Sequence, residues 1–129
     1  MSSIQPIIMV LDDDNAIRTS LAAFFEDQDW RVFSFDNAEE AFECLKTQKV
    51  DAAIVDIRLP GMTGDDFIRN AMTLNTNVVF VIHTGSTDYS MPEDLFSIPL
   101  VSKIVFMKPI SDMIRLKREI ETLLEVGSR

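Results

Sequence analysis

The chain has 129 residues, 47% of them hydrophobic, a single cysteine and a formal net charge of −9. That size and polarity suit one globular domain with a buried core, and the acidic balance argues against nucleic acid or an anionic membrane as a direct partner, since both need clustered Lys or Arg. No apolar stretch is long enough to span a bilayer and MSSIQPIIMV lacks the features of a secretory signal, so a cytoplasmic protein is expected.

Residues 6–11, PIIMVL, form a short continuous run rich in Ile and Val, the pattern of a strand covered on both faces. Ile17, Leu21 and Phe24 or Phe25 follow at helical spacing, with Asp14 or Asn15 placed as the N-cap. RVFSF at 31–35 alternates and predicts a second strand. Asn37 with Glu40 three residues on is a capping pair for a helix carrying Ala38, Ala41, Phe42 and Leu45. Cys44 lies among these apolar residues and reads as a small packing group. AAIVD at 52–56 predicts the third strand, and Phe67, Ile68, Ala71 and Met72 the third helix.

The fourth strand is predicted near 78–83, VVFVIH, and the fifth near 104–107, IVFM. Between them, Ser90 with Glu93 is expected to cap a helix that Pro92 helps begin and Pro99 ends, leaving about two turns. Ser111 precedes the final helical stripe, Ile114, Leu116, Ile120, Leu123 and Leu124. The order is βα repeated five times: an α/β domain over 1–129 with a parallel sheet, right-handed crossovers and helices on both faces.

In open sheets of this kind ligands bind beyond the carboxyl ends of the strands. Those ends carry Asp12, Asp13 and Asp14 after the first strand, Asp56 after the third, Thr84 after the fourth and Lys108 after the fifth. Asp12, Asp13 and Asp56 crowded together resist ionising unless a cation intervenes. Magnesium is the natural one, because it takes oxygen ligands, needs only one or two carboxylates and leaves room for phosphate oxygens. Lys108 adds a fixed positive charge. His83, the only histidine, reads as a strand residue with a satisfied ring, since one histidine without Cys or His companions makes a poor metal site.

Four motifs, in order and on the correct strand ends, make the chain resemble the receiver domains of two-component response regulators: VLDDD, VDIRLPGMTG, HTGS and MKP. The resemblance implies a flavodoxin-like three-layer sandwich, (βα)5, with strand order 2-1-3-4-5. It implies that Asp56 is the nucleophile that takes a phosphoryl group from a phosphohistidine. It further implies that Asp12, Asp13, Asp56 and the carbonyl of Arg58 hold Mg2+, that Thr84 and Lys108 bind the phosphoryl oxygens, and that Pro109 follows a cis peptide bond. The protein is then a phosphoacceptor rather than an enzyme in the ordinary sense. Its implied partners are a histidine kinase or histidine phosphotransfer protein, docking on the first helix near Ile17, and a downstream protein or output domain. A homodimer through the face of the fourth helix, fifth strand and fifth helix is a further expectation.

Departures from the family pattern fall on the output side. Where the family has Tyr or Phe three residues before the lysine, this chain has Val105, with Phe106 beside it, and the fourth helix is short and irregular. A different dimer or partner face is therefore expected. Two rival readings are a receiver-like scaffold that is never phosphorylated and a haloacid dehalogenase-type phosphatase using Asp12 and Asp14. The second lacks the glycine and hydroxyl residue expected after the second acid.

Overall fold

The apolar runs become parallel strands of one sheet, seen in a computed structural model that describes residues 5–74 and 76–127. The elements are β1 (Ile7–Leu11), α1 (Asn15–Asp27), β2 (Arg31–Phe35), α2 (Ala38–Thr47), β3 (Ala52–Asp56), β4 (Arg58–Leu59), β5 (Met62–Thr63), α3 (Gly64–Met72), β6 (Val79–Thr84), α4 (Glu93–Phe96), β7 (Val101–Met107) and α5 (Met113–Gly127). The main sheet runs β2-β1-β3-β6-β7, all parallel, and this is the expected 2-1-3-4-5 order once the small β4–β5 hairpin is set aside.

Alternation within each continuous run feeds two cores. Met9, Leu11, Ala53, Val55, Phe80 and Ile82 face one cluster with α2 and α3 residues such as Leu45, Phe67 and Ile68. Ile8, Val10, Ala52, Ile54, Val79 and Val81 face the other, with Leu21 and Phe25 of α1 and Leu116 and Ile120 of α5. Cys44 is buried in the first cluster, and burial pushes its thiol pKa up, so it is the packing residue that the sequence suggested.

Helix starts follow local chemistry. Asp14 caps α1, accepting from the Ile17 N–H at 3.1 Å, and Asn37 caps α2, accepting from the Glu40 N–H at 2.9 Å. At α5 the cap is Asp112, which accepts from the Arg115 N–H at 3.0 Å, in place of the expected Ser111. The fourth helix is a single turn, Glu93–Phe96; Pro92 is its N-cap and no side chain caps it, so Ser90 does not play the expected part. β7 starts three residues ahead of the apolar run because Ser102 and Lys103 occupy an irregularity: the register steps from Phe80↔Val101 to Ile82↔Val105, and the Ser102 hydroxyl accepts from the Ile104 N–H at 3.1 Å.

The end of α1 carries a conformational cost. Asp29 has φ 66°, the left-handed region, between the Asp29 N–H to Glu26 C=O and Trp30 N–H to Phe25 C=O bonds, both 3.0 Å. With the Phe25 and Trp30 rings 4.9 Å apart, this is a Schellman end in which glycine is the least strained residue. Asp29→Gly is expected to raise stability by about 0.5 kcal/mol and Asp29→Val to lower it by about 1 kcal/mol or more, read as opposite shifts of the urea midpoint.

Candidate functional site

Strand ends that share one edge bring the acidic groups together. The alternation that points Ile8 and Val10 toward α1 and α5 continues to Asp12, and that of Val79 and Val81 continues to His83. Asp56 ends β3 between them, level with His83 in the β3–β6 register. Asp12 and His83 are fully buried, and Asp56 is 2% exposed. Asp13, one residue on, is exposed, and Asp12, Asp13 and Asp56 each offer an oxygen within 4.8 Å of the others.

One ammonium group binds the two buried acids. Lys108 Nζ donates to Asp56 Oδ2 at 3.0 Å and stands 3.0 Å from Asp12 Oδ2, a contact of opposite charges rather than an aligned hydrogen bond. The lysine leaves β7 just before Pro109, and the peptide bond between them is cis. The remaining oxygens are taken by backbone: Asp12 Oδ1 accepts from the Asp14 N–H at 2.8 Å, and Asp56 Oδ1 from the Arg58 N–H at 3.3 Å. Burial pushes the Asp56 pKa up to about 6; the Lys108 hydrogen bond opposes this and the Asp12 charge adds to it. For Lys108, burial lowers the pKa but the bonds to Asp56 and Asp12 outweigh it, so the ammonium holds its proton more tightly than a free lysine.

The loop after Asp56 is shaped to leave the carboxylate in place. Gly61 turns the β4–β5 hairpin at φ 80°. Gly64 opens α3 directly against the Asp56 backbone: a Cβ there would lie 2.2 Å from the Asp56 carbonyl oxygen, so a side chain displaces the Asp56 backbone or the helix.

Asp13, Asp56, Arg58, Thr84, Gly85 and Lys108 line a cavity of about 400 Å3, with Asp14, Ile17 and Ser86 at its walls. The expected site residues therefore converge. Thr84 is buried, and its hydroxyl accepts from the Ser86 N–H at 3.0 Å, leaving its own proton available to an incoming oxygen. Arg58 is exposed at the rim. Asp14, which caps α1 through Oδ1, also borders the cavity.

His83 departs from the expectation of a satisfied ring. Neither ring nitrogen has an aligned hydrogen-bond partner among the described residues. Nε2 faces Asp12 Oδ2 at 3.3 Å. Burial lowers its pKa to about 4; Asp12 and the Leu11 backbone oppose the shift and Lys108 reinforces it. The available signal was a lone polar residue inside VVFVIH, one step before Thr84.

Residues 8–121 match the family model described as the response regulator receiver domain. Nodulation protein W of Bradyrhizobium diazoefficiens is 29% identical over 90 residues, covering 70% of this chain and 40% of that protein. Sporulation initiation phosphotransferase F of Bacillus subtilis is 26% identical over 87 residues, covering 67% of this chain and 70% of its own length. Against the nodulation protein and two further relatives the chain spans 40%, 25% and 18% of their length. Among solved structures, a response regulator receiver domain protein from Methanospirillum hungatei superimposes with a TM-score of 0.83 at 25% identity, covering 97% of this chain and 98% of the other. Response regulator TrrA of Thermotoga maritima, solved in complex with Mg2+ and BeF, gives 0.78 at 19% identity, covering 92% and 99%.

Two buried groups pull the pH dependence of stability in opposite directions in the metal-free protein. Between about pH 4 and pH 6 Asp56 keeps in the folded state a proton that the unfolded chain, with its carboxyl near 3.8, has already lost, which lowers stability as pH rises. Over much the same range the folded His83 ring lacks a proton that the unfolded imidazole, near 6.5, still binds, which raises stability as pH rises. Asp56→Asn removes the first contribution, so it is expected to gain on the wild type as pH rises through this window and to be the more stable protein at pH 7.5 by up to about 3 kcal/mol. Urea unfolding in EDTA across pH 4–8 checks this; superimposable profiles for the two proteins contradict it.

Proposed function

The chain belongs to the response regulator receiver domain family, and from that premise we propose that Asp56 is a phosphoacceptor charged by a histidine kinase or histidine phosphotransfer protein. The observation that carries the reading is the Lys108 ammonium held 3.0 Å from Asp56 and from Asp12 at the mouth of one cavity with Asp13 and Thr84. An Asp56 oxygen attacks phosphorus, the P–N bond to the donor imidazole breaks, and that imidazole leaves with the electron pair and takes a proton. Lys108 and the Thr84 hydroxyl receive the transferred oxygens, where negative charge is greatest.

The donor set fits a hard divalent cation: three carboxylates converge, one is exposed, and only one ammonium offsets them. Asp12, Asp13, Asp56 and the Arg58 carbonyl would hold Mg2+, which when bound supplies positive charge to the phosphoryl oxygens. The Mg2+ and BeF complex of the Thermotoga relative supports this assignment.

Partner docking is supported by a second cavity, about 230 Å3, lined by Ile17, Leu21, Pro109, Ile110 and Met113 beside the acidic one. An apolar partner surface seated there brings its reactive side chain to Asp56. Relatives that extend well beyond the matched region include regulatory proteins and a sensor kinase/phosphatase, CqsS of Vibrio cholerae, which fits a module that passes its state to another domain or protein. Homodimerisation and a cytoplasmic setting belong to the same reading; no described helix is long and apolar enough to cross a membrane.

Incubation with a small phosphoramidate and Mg2+ tests the assignment by intact mass. One hydroxylamine-sensitive phosphoryl group is expected on the wild type, absent in Asp56→Asn and in EDTA. Lys108→Met is expected to slow its formation by about 100-fold. A label that survives Asp56→Asn but vanishes in Asp12→Asn points to the phosphatase, and a wild type that takes no label points to the scaffold.

A further inference from the structure

We propose that His83 is a positioning residue for Asp12: its buried imidazole holds the Asp12 carboxylate in the orientation that the cation site uses. The inference rests on the reading above, because it concerns how one proposed ligand of Mg2+ is held.

Asp12 Oδ2 is completely buried and faces two groups, Lys108 Nζ at 3.0 Å and His83 Nε2 at 3.3 Å. The lysine is shared with Asp56, also at 3.0 Å. A phosphoryl group on Asp56 brings oxygens that compete for that ammonium. If Lys108 turns to them, Asp12 Oδ2 loses the ammonium beside it while still out of reach of water, a costly change for a carboxylate oxygen. The imidazole is the remaining donor on that side. Nε2 is the ring nitrogen that faces Asp12 Oδ2, at 3.3 Å and short of alignment, with the Leu11 backbone also beside the ring; a proton on Nε2 serves that oxygen once the ammonium turns away.

The other Asp12 oxygen is tied by the Asp14 N–H at 2.8 Å. With the Asp14 N–H bonded to one oxygen and the His83 ring in contact with the other, the carboxylate is confined from both sides, as neighbouring groups orient metal-binding carboxylates in general. His83 is itself immobile. It is fully buried on β6, paired in register with Asp56 on one side and Phe106 on the other, and its strand neighbours Val81 and Ile82 are fully buried.

Two measurements test this on the whole chain. In the metal-free protein, a long-range 1H–15N spectrum is expected to show the His83 proton on Nε2; a ring protonated on Nδ1 overturns the proposal. In the second, Mg2+ is titrated while the Asp13, Arg58 and Gly85 amide shifts are followed. His83→Leu is expected to weaken binding by about tenfold, and His83→Gln, whose amide reaches where Nε2 stood, to stay within about threefold of the wild type. Urea midpoints confirm that the variants are folded, with His83→Met replacing the leucine variant if it is not. Binding by the apolar variant as tight as the wild type's overturns the proposal, as does a glutamine variant no better than the apolar one. A wild type that binds no Mg2+ sinks the receiver mechanism as well, whereas wild-type binding matched by every variant sinks only the role of His83.

Discussion

Two carboxylates buried side by side at the ends of neighbouring strands depend on one ammonium group. Asp12 and Asp56 are held in a protein interior where either charge alone is expensive, and Lys108 reaches both at 3.0 Å from a third strand. The compensation is incomplete. One positive charge faces two buried acids and the exposed Asp13, so the hollow stays short of positive charge. Burial is the main reason that the Asp56 pKa is raised, and the neighbouring Asp12 charge adds to it; an added cation is the natural relief for such a hollow, which is the basis of the proposed Mg2+ site. A fold that balanced every charge here would be more stable and chemically inert.

The rest of the scaffold serves that arrangement. Central strands covered on both faces set the strand ends, and Gly64 lets α3 start within contact of the Asp56 backbone. Backbone N–H groups of Asp14 and Arg58 and the Lys108 ammonium fix the carboxylates while leaving the cavity open. His83 adds a polar side chain beneath the hollow, following the apolar run Val79–Ile82 of β6.

The strands and the site were legible in the residues because burial writes long apolar runs and chemistry collects at their ends. β2 and β3 lie where their runs begin and stop. What the sequence did not show has local causes. The two-residue strands β4 and β5 are too short for any periodicity to mark them. Ser111 and Asp112 both suit a helix start, and the choice between them turns on which backbone leaves the extended region. The first three residues of β7 hide behind Ser102 and Lys103, whose polarity breaks the apolar run although Ser102 is buried. Phe106 beside Val105 looks like a displaced aromatic switch, yet neighbouring strand residues face opposite sides of the sheet. Phe106 is buried against the α1 and α5 core, while Val105 faces the other cluster, so no aromatic from β7 stands beside Thr84 on the α4 side. His83 lies 3.3 Å from an acid two strands away, a juxtaposition that a lone histidine at the end of an apolar run does not announce.

The strength of the contacts divides the molecule into a part that holds and a part that can move. The acids are fixed by buried groups, whereas the segment from Gly85 through α4 is tied to α3 by polar contacts near the surface. Tyr89 donates to Asp65 at 2.8 Å, and Arg69 meets Asp94 with two nitrogens at 2.8 and 3.0 Å. Exposed ion pairs add little to stability, and a single helical turn without a side-chain cap adds little more. Leu95 is fully buried in that turn, and Tyr89, Met91 and Ile98 around it pack against the same core. Thr84, which ends the buried strand β6, is followed directly by this surface-tied stretch, and on the α4 side beyond it Phe96 and Met107 are exposed.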